Sequence, residues 1–239
     1  MAGTELIYQV DSYVSTFEAT VTAVDGERLT LDRTAFYPGG GGQPCDEGLL
    51  SSDGFDYWVV AVDKADGEVW HTVPGHRLVP ECHVVGTLDW ARRYELMQTH
   101  TGMHVLCAVI GNEWGVPVTG GNMDRLSARM DFAFDAMPAG FRERVVELVN
   151  DELRRDRAVR VSFVEPEELR RDSRLLRTQE NLVPEGLTAV RVVEIEGLDR
   201  QADGGTHVAK TAEVGPMSIT KLESKGKSYK RLRVAFERL

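Results

Sequence analysis

The chain has 239 residues with a formal net charge of -10, and 42% of its residues are hydrophobic and 28% charged. This composition is that of a globular protein of one large or two ordinary domains, with no apolar run near the roughly 18 residues of a membrane span, and its acidity argues against binding nucleic acid over the whole surface. The three cysteines form no C-x-x-C pair and the N-terminus does not resemble a signal peptide, so we expect a cytoplasmic protein without a membrane partner.

The first ninety residues predict short β-strands joined by tight turns. Runs rich in β-branched and aromatic residues flank Asp-Gly steps, which favour two-residue hairpins. Such runs occur at 17–24, 28–34, 58–64, 68–73 and 83–90. Many short strands of this kind are typical of a small barrel or sandwich. We expect His71, His76 and His83, which lie in or near these turns, to be surface or turn residues.

From residue 91 onward, helices and strands are mixed. Apolar residues at helical spacing predict a helix over 91–114, and Pro138 opens a second one over 139–156. A short helical piece at 165–172 and strands at 127–134, 158–164, 187–197, 218–224 and 230–236 complete the pattern. Because strands and helices do not alternate regularly, we expect an α+β fold, with a β-barrel domain over 1–90 and a second domain over 91–239.

The segment QTHTGMH, residues 98–104, places His100 and His104 on one face of the first predicted helix. Two neutral, hydrogen-bonded histidines would explain this spacing as well as half of a metal site would. The protease motif H-E-x-x-H has the same spacing but needs a glutamate where this chain has Thr101, which argues against a zincin-type protease. A metal held by this pair needs further ligands from elsewhere in the chain.

The Gly-rich segment DGGTHVAK contains two further candidate ligands, Asp203 and His207. Gly204 and Gly205 permit a tight turn with positive φ, which would bring both side chains to one point. Zinc accepts histidine nitrogen and aspartate oxygen, so the turn and the helical pair would together form a four-ligand set. An aspartate that only shapes the turn and an ordinary core or strand histidine are the alternatives.

Two other segments are candidates for binding. YPGGGGQP, residues 37–44, has the composition of a flexible loop, but backbone N–H groups in such a loop also approach substrates and phosphates closely. The C-terminal segment after residue 220 is basic. Its composition favours a solvated hairpin with charged residues along an edge strand, and a contact for phosphates is the alternative. Its basic residues are Lys221, Lys225, Lys227, Lys230, Arg231 and Arg233.

Three blocks of the sequence resemble the AlaX-type free-standing alanyl-tRNA editing proteins and the editing domain of alanyl-tRNA synthetase. They are RTAFYPGGGGQPCDEG (33–48), DWARRYELMQTHTGMHVL (89–106) and GLDRQADGGTHVAKTAEVG (197–215). With the ending ESKGKSYKRLRV they follow the family's order over most of the chain. The resemblance implies a small N-terminal β-barrel domain followed by an α+β editing domain of the threonyl/alanyl-tRNA synthetase type.

The same resemblance implies a zinc site with a catalytic role. The family's histidine pair falls on His100 and His104, and its last histidine falls on His207. The family's cysteine falls on Asp203, which is a departure. Thiolate and carboxylate are both anionic zinc ligands, although carboxylate is harder and less selective for zinc. Asp203 would therefore either complete the site or leave three histidines with open positions.

The implied activity is hydrolysis of the ester that joins a wrong amino acid to the 3′ acceptor end of tRNA(Ala). Serine is the first candidate amino acid and glycine the second, and the reaction would occur in trans, without ATP and without tRNA charging. The family's Gly-rich motif faces the editing site from the barrel domain, which makes Thr34, Gly41, Gly42 and Gln43 candidate substrate-binding residues.

Two other functions stay open on the sequence. One is a metal-dependent hydrolase of other small amino-acid esters. The other is a non-catalytic tRNA-binding module that lost its metal when the cysteine became Asp203.

Overall fold

The structure is a computed structural model that describes residues 3–171, 189–224 and 229–239. The chain divides into two compact units, Met1–Tyr94 and Glu95–Leu239. The described residues form many strands and three α-helices without a regular alternation, so the predicted α+β class is confirmed. Within these described ranges, no helix combines the length and the apolar character needed to cross a membrane.

The first unit is built on antiparallel pairing. Its strands are β1 (Glu5–Leu6), β2 (Thr16–Asp25), β3 (Arg28–Leu31), β4 (Arg33–Thr34), β5 (Gly48–Ser52), β6 (Phe55–Val59), β7 (Ala61–Ala65), β8 (Glu68–Thr72) and β9 (His83–Leu88). Seven of them form one sheet in the order β6-β5-β9-β2-β3-β8-β7, while β1 and β4 pair in parallel. A short 3-10 helix, Ile7–Gln9, follows β1.

The predicted barrel is not confirmed. The seven-stranded order ends at β6 and β7, and no pairing joins these two strands among the described residues. The expected single strand at 58–64 is divided at Val60, where the chain leaves its pairing with β5 and begins to pair with β8. Alternation of side chains predicts strands, but it contains no information on whether the outer strands meet.

His71 corrects the expectation that the histidines of the first half are surface or turn residues. It lies on β8 and is fully buried. Its Nε2 is 2.9 Å from the Thr34 hydroxyl, and its Nδ1 is 3.4 Å from the Leu29 carbonyl oxygen. The signal was present in the sequence, because Val69, His71 and Val73 alternate and therefore share the inward face.

The second unit contains two antiparallel sheets and most of the helical residues. One sheet has the order β10-β11-β16-β15 and the other β12-β13-β14. Their strands are β10 (Val118–Asp124), β11 (Ser127–Phe132), β12 (Val159–Val164), β13 (Val190–Ile195), β14 (Asp199–Ala202), β15 (Met217–Ser224) and β16 (Lys230–Phe236). The helices are α1 (Trp90–Trp114), α2 (Phe141–Arg154) and α3 (Pro166–Arg171), with a 3-10 turn at Thr211–Glu213.

One strand and one helix start differ from the sequence predictions for physical reasons. Strand β10 was not expected because Gly120 and Gly121 weaken the strand pattern, yet both pair with β11. Helix α2 begins at Phe141 rather than next to Pro138, because Gly140 adopts a left-handed φ of 67° and interrupts the helix there.

Helix α1 is buried on all sides over much of its length. Every residue from Glu95 to Ile110 is buried, as expected for a helix that is surrounded by other elements rather than lying on a surface. Gly102 shows how close one neighbour comes, since a Cβ at this position would lie 2.3 Å from the ring of Phe236 at the end of β16. The glycine between the two helical histidines therefore permits close packing.

Burial lowers the pKa of His71 to about 4, so the ring is neutral at pH 7. Since an unfolded histidine has a pKa near 6.5, this group's stabilisation is complete above about pH 6.5 and is lost as the pH falls to 4, by about 3 kcal/mol. His71→Gln removes the group that titrates. The variant should be less stable than the native chain, and urea unfolding should show that this difference in free energy of unfolding is smaller at pH 4.5 than at pH 7. For His83→Gln, which changes an exposed histidine, the difference should be the same at both pH values.

Candidate metal centre

Helix α1 supplies the first two side chains of the centre. His100 and His104 are one helical turn apart, and their ring centroids are separated by 5.0 Å. Each is only 5% exposed. Because the helix is buried on every side, the two rings cannot satisfy their polar atoms with bulk solvent and depend on protein groups.

The loop after β14 supplies the other two side chains. The ring of His207 lies 4.3 Å from that of His100 and 4.7 Å from that of His104, measured between centroids. Together with Asp203, these residues offer ligand-capable atoms that all lie within 4.8 Å of one another. The four predicted ligands are thus brought together, and the group could bind a metal ion.

The two oxygens of Asp203 have different surroundings. Oδ2 accepts the backbone N–H of Gly205 at 2.7 Å and lies 3.0 Å from His207 Nε2. Oδ1 lies 3.4 Å from His100 Nε2 and 3.9 Å from His104 Nε2. From the sequence, Asp203 either shapes the turn or is a ligand. In the structure, Oδ2 shapes the turn and Oδ1 faces the two helical histidines, so one carboxylate is placed for both roles.

A buried arginine lies behind this carboxylate. Arg191 on β13 donates from its Nη1 to the carbonyl oxygen of Asp203 at 2.9 Å, and the same nitrogen is 3.7 Å from Asp203 Oδ2. The Arg191 side chain is only 5% exposed. A cation at this distance offsets part of the cost of burying an anion.

The surroundings of the centre favour neutral rings at His100 and His207 beside an ionised Asp203. Burial lowers the pKa of His207 to about 4, partly opposed by its hydrogen bond with Asp203, and burial also holds the pKa of His100 well below its usual value. Burial alone would raise the pKa of Asp203, but the attraction of His100 and the hydrogen bond from His207 place it well below its usual range. Neutral rings and an ionised carboxylate suit a metal, but a metal bound to His207 Nε2 would replace the hydrogen bond from that nitrogen to Asp203 and require the ring proton on Nδ1.

The donor set fits a tetrahedral zinc ion in chemistry and in scale. Ligand atoms about 2.1 Å from one ion are roughly 3.4 Å from each other in a tetrahedron. The distances from Asp203 Oδ1 to His100 Nε2 and His104 Nε2, 3.4 and 3.9 Å, are near this value.

Three polar residues around the centre were not predicted. The Thr101 hydroxyl lies 3.2 Å from His207 Nδ1 and accepts the backbone N–H of Val208 at 3.2 Å. Asp199 Oδ2 lies 3.1 Å from His104 Nδ1, and the side-chain nitrogen of Gln201 lies 2.7 Å from the same atom. Asp199 and Gln201 are two apart on β14, so the alternation of a strand places them on one face, which is the signal that could have found them.

The Gly-rich loop lies in the first unit and forms a tight turn. Gly40 and Gln43 exchange backbone hydrogen bonds of 3.1 and 2.9 Å around Gly41 and Gly42. These two central glycines have φ of 57° and 87°, a pair of positive values that side chains rarely tolerate. The Tyr37 hydroxyl donates to the Gly40 carbonyl at 3.0 Å. The expected flexible loop is therefore an ordered hairpin-like turn.

The other two predicted substrate-binding residues are buried in the first unit. Thr34 has no exposed surface, and its hydroxyl contacts His71 and accepts the backbone N–H of Phe36 at 3.1 Å. Gln43 is 2% exposed. These positions suit a structural role at least as well as a contact with substrate.

The buried pair of Arg93 and Asp46 fixes the segment that contains the turn. Asp46 accepts from Arg93 Nε at 3.0 and 3.1 Å, and its Oδ2 also accepts the Tyr37 backbone N–H at 2.6 Å. Arg93 is fully buried and donates further to the carbonyls of Ser12 and Ala35. A buried ion pair needs such additional hydrogen bonds to offset its desolvation.

The described part of the basic C-terminal segment is largely neutralised by acids. Arg231 forms a two-pronged pair with Asp131 at 2.7 Å, and both Lys221 and Arg233 contact Glu223. Lys225 and Lys227 lie outside the described residues. The local charges therefore favour the solvated hairpin over a dedicated phosphate contact.

Two family models match the chain. Residues 190–233 match the threonyl and alanyl tRNA synthetase second additional domain, and residues 6–92 match tRNA synthetases class II (A). The first match includes Asp199, Asp203 and His207.

Curated relatives are similar over nearly the whole chain. The alanyl-tRNA editing protein AlaX-M of Methanosarcina barkeri is 37% identical over 236 residues, which cover 96% of this chain and 97% of the relative. AlaX-M of Saccharolobus solfataricus is 36% identical with the same coverage of both chains. The alanine–tRNA ligase of Pyrobaculum neutrophilum is 37% identical over 227 residues, 92% of this chain but only 25% of the ligase.

Replacing Asp203 tests its two roles separately. If Oδ1 ligates, Asp203→Ala should lower the zinc bound per chain, and Asp203→Cys should preserve or increase it because thiolate is the softer anionic ligand. Asp203→Asn keeps an oxygen for the Gly205 N–H but loses the charge, so its zinc content should also fall. Equal zinc content in all three purified variants would show that Asp203 is not a ligand.

Proposed function

The chain belongs to the AlaX-type alanyl-tRNA editing proteins, and from this we propose that it is a hydrolase that removes a wrong amino acid from tRNA(Ala) in trans. The observation that carries the proposal is the buried cluster of His100, His104, Asp203 and His207. Three imidazoles and one carboxylate at these distances suit a metal-assisted hydrolysis, and no other described group of this kind competes with them.

These four side chains would hold one zinc ion, with His100, His104 and His207 as the catalytic ligands. With four protein ligands, such a zinc would take a carbonyl or a water as a fifth ligand, polarising the carbonyl or lowering the pKa of the water to about 7. Asp203 keeps the loop histidine in place and supplies negative charge, and the low exposure of the histidines limits the access of bulk water. An aminoacyl ester is an activated bond, so positioning and stabilisation of a developing oxyanion are enough to cleave it.

The most suitable substrate is seryl-tRNA(Ala), with glycyl-tRNA(Ala) as the second candidate. A synthetase pocket for alanine discriminates weakly against such small amino acids, because small differences in an apolar pocket change selectivity only about 10- to 200-fold. A second site that hydrolyses the wrong ester restores accuracy. The protein would therefore act on tRNA(Ala) that a synthetase has already charged with the wrong amino acid.

For the tRNA, we propose that the turn at Gly41 and Gly42 contributes a backbone contact. Its positive φ values leave the backbone uncovered by side chains, and nothing lies within 4 Å of the position that a Gly41 Cβ would occupy. Backbone N–H groups exposed in this way bind phosphate or carbonyl oxygens. Thr34 and Gln43 would need to exchange existing contacts to reach a substrate, so the glycines are the stronger candidates.

The deciding experiment is a deacylation assay with seryl-, glycyl- and alanyl-tRNA(Ala), with and without a chelator. Chelator-sensitive release of serine or glycine, with alanine retained, would support the proposal. Equal activity on free amino-acid esters would instead favour a general ester hydrolase. Binding of tRNA without metal and without turnover would favour a non-catalytic module.

His104→Ala should lower deacylation of the mischarged tRNA by about 100-fold or more while the far-ultraviolet circular dichroism is retained. The reason is that losing even an outer partner of a ligand costs roughly 10- to 100-fold, and His104 would itself ligate. His83→Ala, which removes an exposed histidine from the first unit, is the matched control. Unchanged turnover in His104→Ala would exclude a metal-based mechanism at this site.

Gly41→Ala should raise the KM for mischarged tRNA several-fold with little change in kcat, because it strains the turn and places a methyl group on its open face. Gly67→Ala is a closely matched control, since Gly67 has a φ of 82° in another hairpin turn of the same unit and also has nothing within 4 Å. Steady-state kinetics of both variants measures the difference. Identical effects at the two positions would count against a contact at Gly41.

A further inference from the structure

We propose that Asp199 is a positioning residue that holds the proton of His104 on Nδ1 and so frees Nε2 to ligate. This inference rests on the zinc site proposed above. Its basis is that Asp199 Oδ2 lies 3.1 Å from His104 Nδ1 and that the Asp199 side chain is completely buried. Both residues are in the second unit, on β14 and α1.

The two ring nitrogens of His104 face different groups. Nδ1 faces Asp199, and Nε2 faces Asp203 Oδ1 at 3.9 Å. A neutral imidazole carries one N–H, so Nε2 has a free lone pair only when the proton is on Nδ1. When Asp199 Oδ2 accepts the ring N–H at this distance, the proton is on the nitrogen that faces Asp199.

Gln201 favours the opposite tautomer. Its side-chain nitrogen lies 2.9 Å from Asp199 Oδ2 and 2.7 Å from His104 Nδ1. If Nδ1 accepted a hydrogen bond from this amide, the ring proton would be on Nε2 and the ring could not ligate. If Nδ1 is protonated, two N–H groups cannot point at each other, so the Gln201 amide must direct its N–H to Asp199 Oδ2 and move away from His104 Nδ1.

The carboxylate should prevail in this competition. A histidine that ligates a metal almost always donates its other ring N–H to a carboxylate, a backbone carbonyl or water, and the carboxylate of Asp199 is the group placed for this. A buried carboxylate is also costly unless it receives hydrogen bonds, and His104 Nδ1–H is one of the donors within reach. Asp199 therefore favours the metal-ready form of His104 before any metal arrives.

Zinc dissociation constants, measured by competition with a chromophoric chelator, test this assignment. Asp199→Ala should weaken zinc binding by about 10- to 100-fold, and Asp199→Asn by less, because the Asn oxygen can still accept. Gln201→Met, which removes the competing donor, should bind zinc at least as tightly as the native chain. Asp131→Asn removes a carboxylate that pairs with Arg231 on the neighbouring sheet and should leave zinc binding unchanged.

Long-range proton–nitrogen spectra of the metal-free protein give a readout that a merely structural role would not change. His104 should be protonated on Nδ1 in the native chain and should shift towards Nε2 in Asp199→Ala, or in Asp199→Asn if the Ala variant fails to fold. Native zinc affinity and an unchanged tautomer in these variants would overturn the inference. So would equal weakening in the Asp131→Asn variant.

The outcomes also separate this inference from the proposed function. Zinc binding that depends on Asp199, in a protein that releases neither serine nor glycine from tRNA(Ala), would refute the editing activity and support the positioning role. A native chain that binds no zinc would overturn both.

Discussion

The carboxylate of Asp203 contacts all three histidines of the centre in the second unit. One oxygen accepts the Gly205 N–H and contacts His207, while the other faces the two histidines of α1. Arg191 contacts the carbonyl of the same residue from behind. A buried anion is tolerable only with such partners. The contacts of Asp203 therefore link the turn to helix α1 and to strand β13.

The burial of α1 between Glu95 and Ile110 adds a second constraint. A histidine on an exposed helix face could use water, but the buried rings of this centre depend on protein partners. Asp199 lies at the nitrogen of His104, and Thr101 at the nitrogen of His207, that faces away from Asp203. The centre is consequently organised in two layers, in which the inner carboxylate collects the rings and the outer groups orient them.

The sequence predicted the four candidate ligands of the centre better than the polar residues around them and the arrangement of the first sheet. The spacing of His100 and His104 and the glycines before His207 are local signals, and the resemblance joined them across a hundred residues. Asp199 was missed because an acid near a turn is commonplace, and only its place on the strand shows that it points inward. Whether the sheet of the first unit closes into a barrel could not be predicted. The alternation of apolar and polar residues shows which face of a strand is buried, but not which strands pair with each other at the edges of the sheet.

Gly102 limits how this protein can be engineered. Replacing glycine with alanine inside a helix ordinarily gains about 0.5–1 kcal/mol and is a standard route to thermostability. At Gly102 a methyl group would lie 2.3 Å from the Phe236 ring, so either this ring or α1 would have to shift. A shift of the helix would carry His100 and His104 with it, since they flank the glycine. A substitution chosen at Gly102 for helix propensity alone would therefore endanger the geometry of the two histidines.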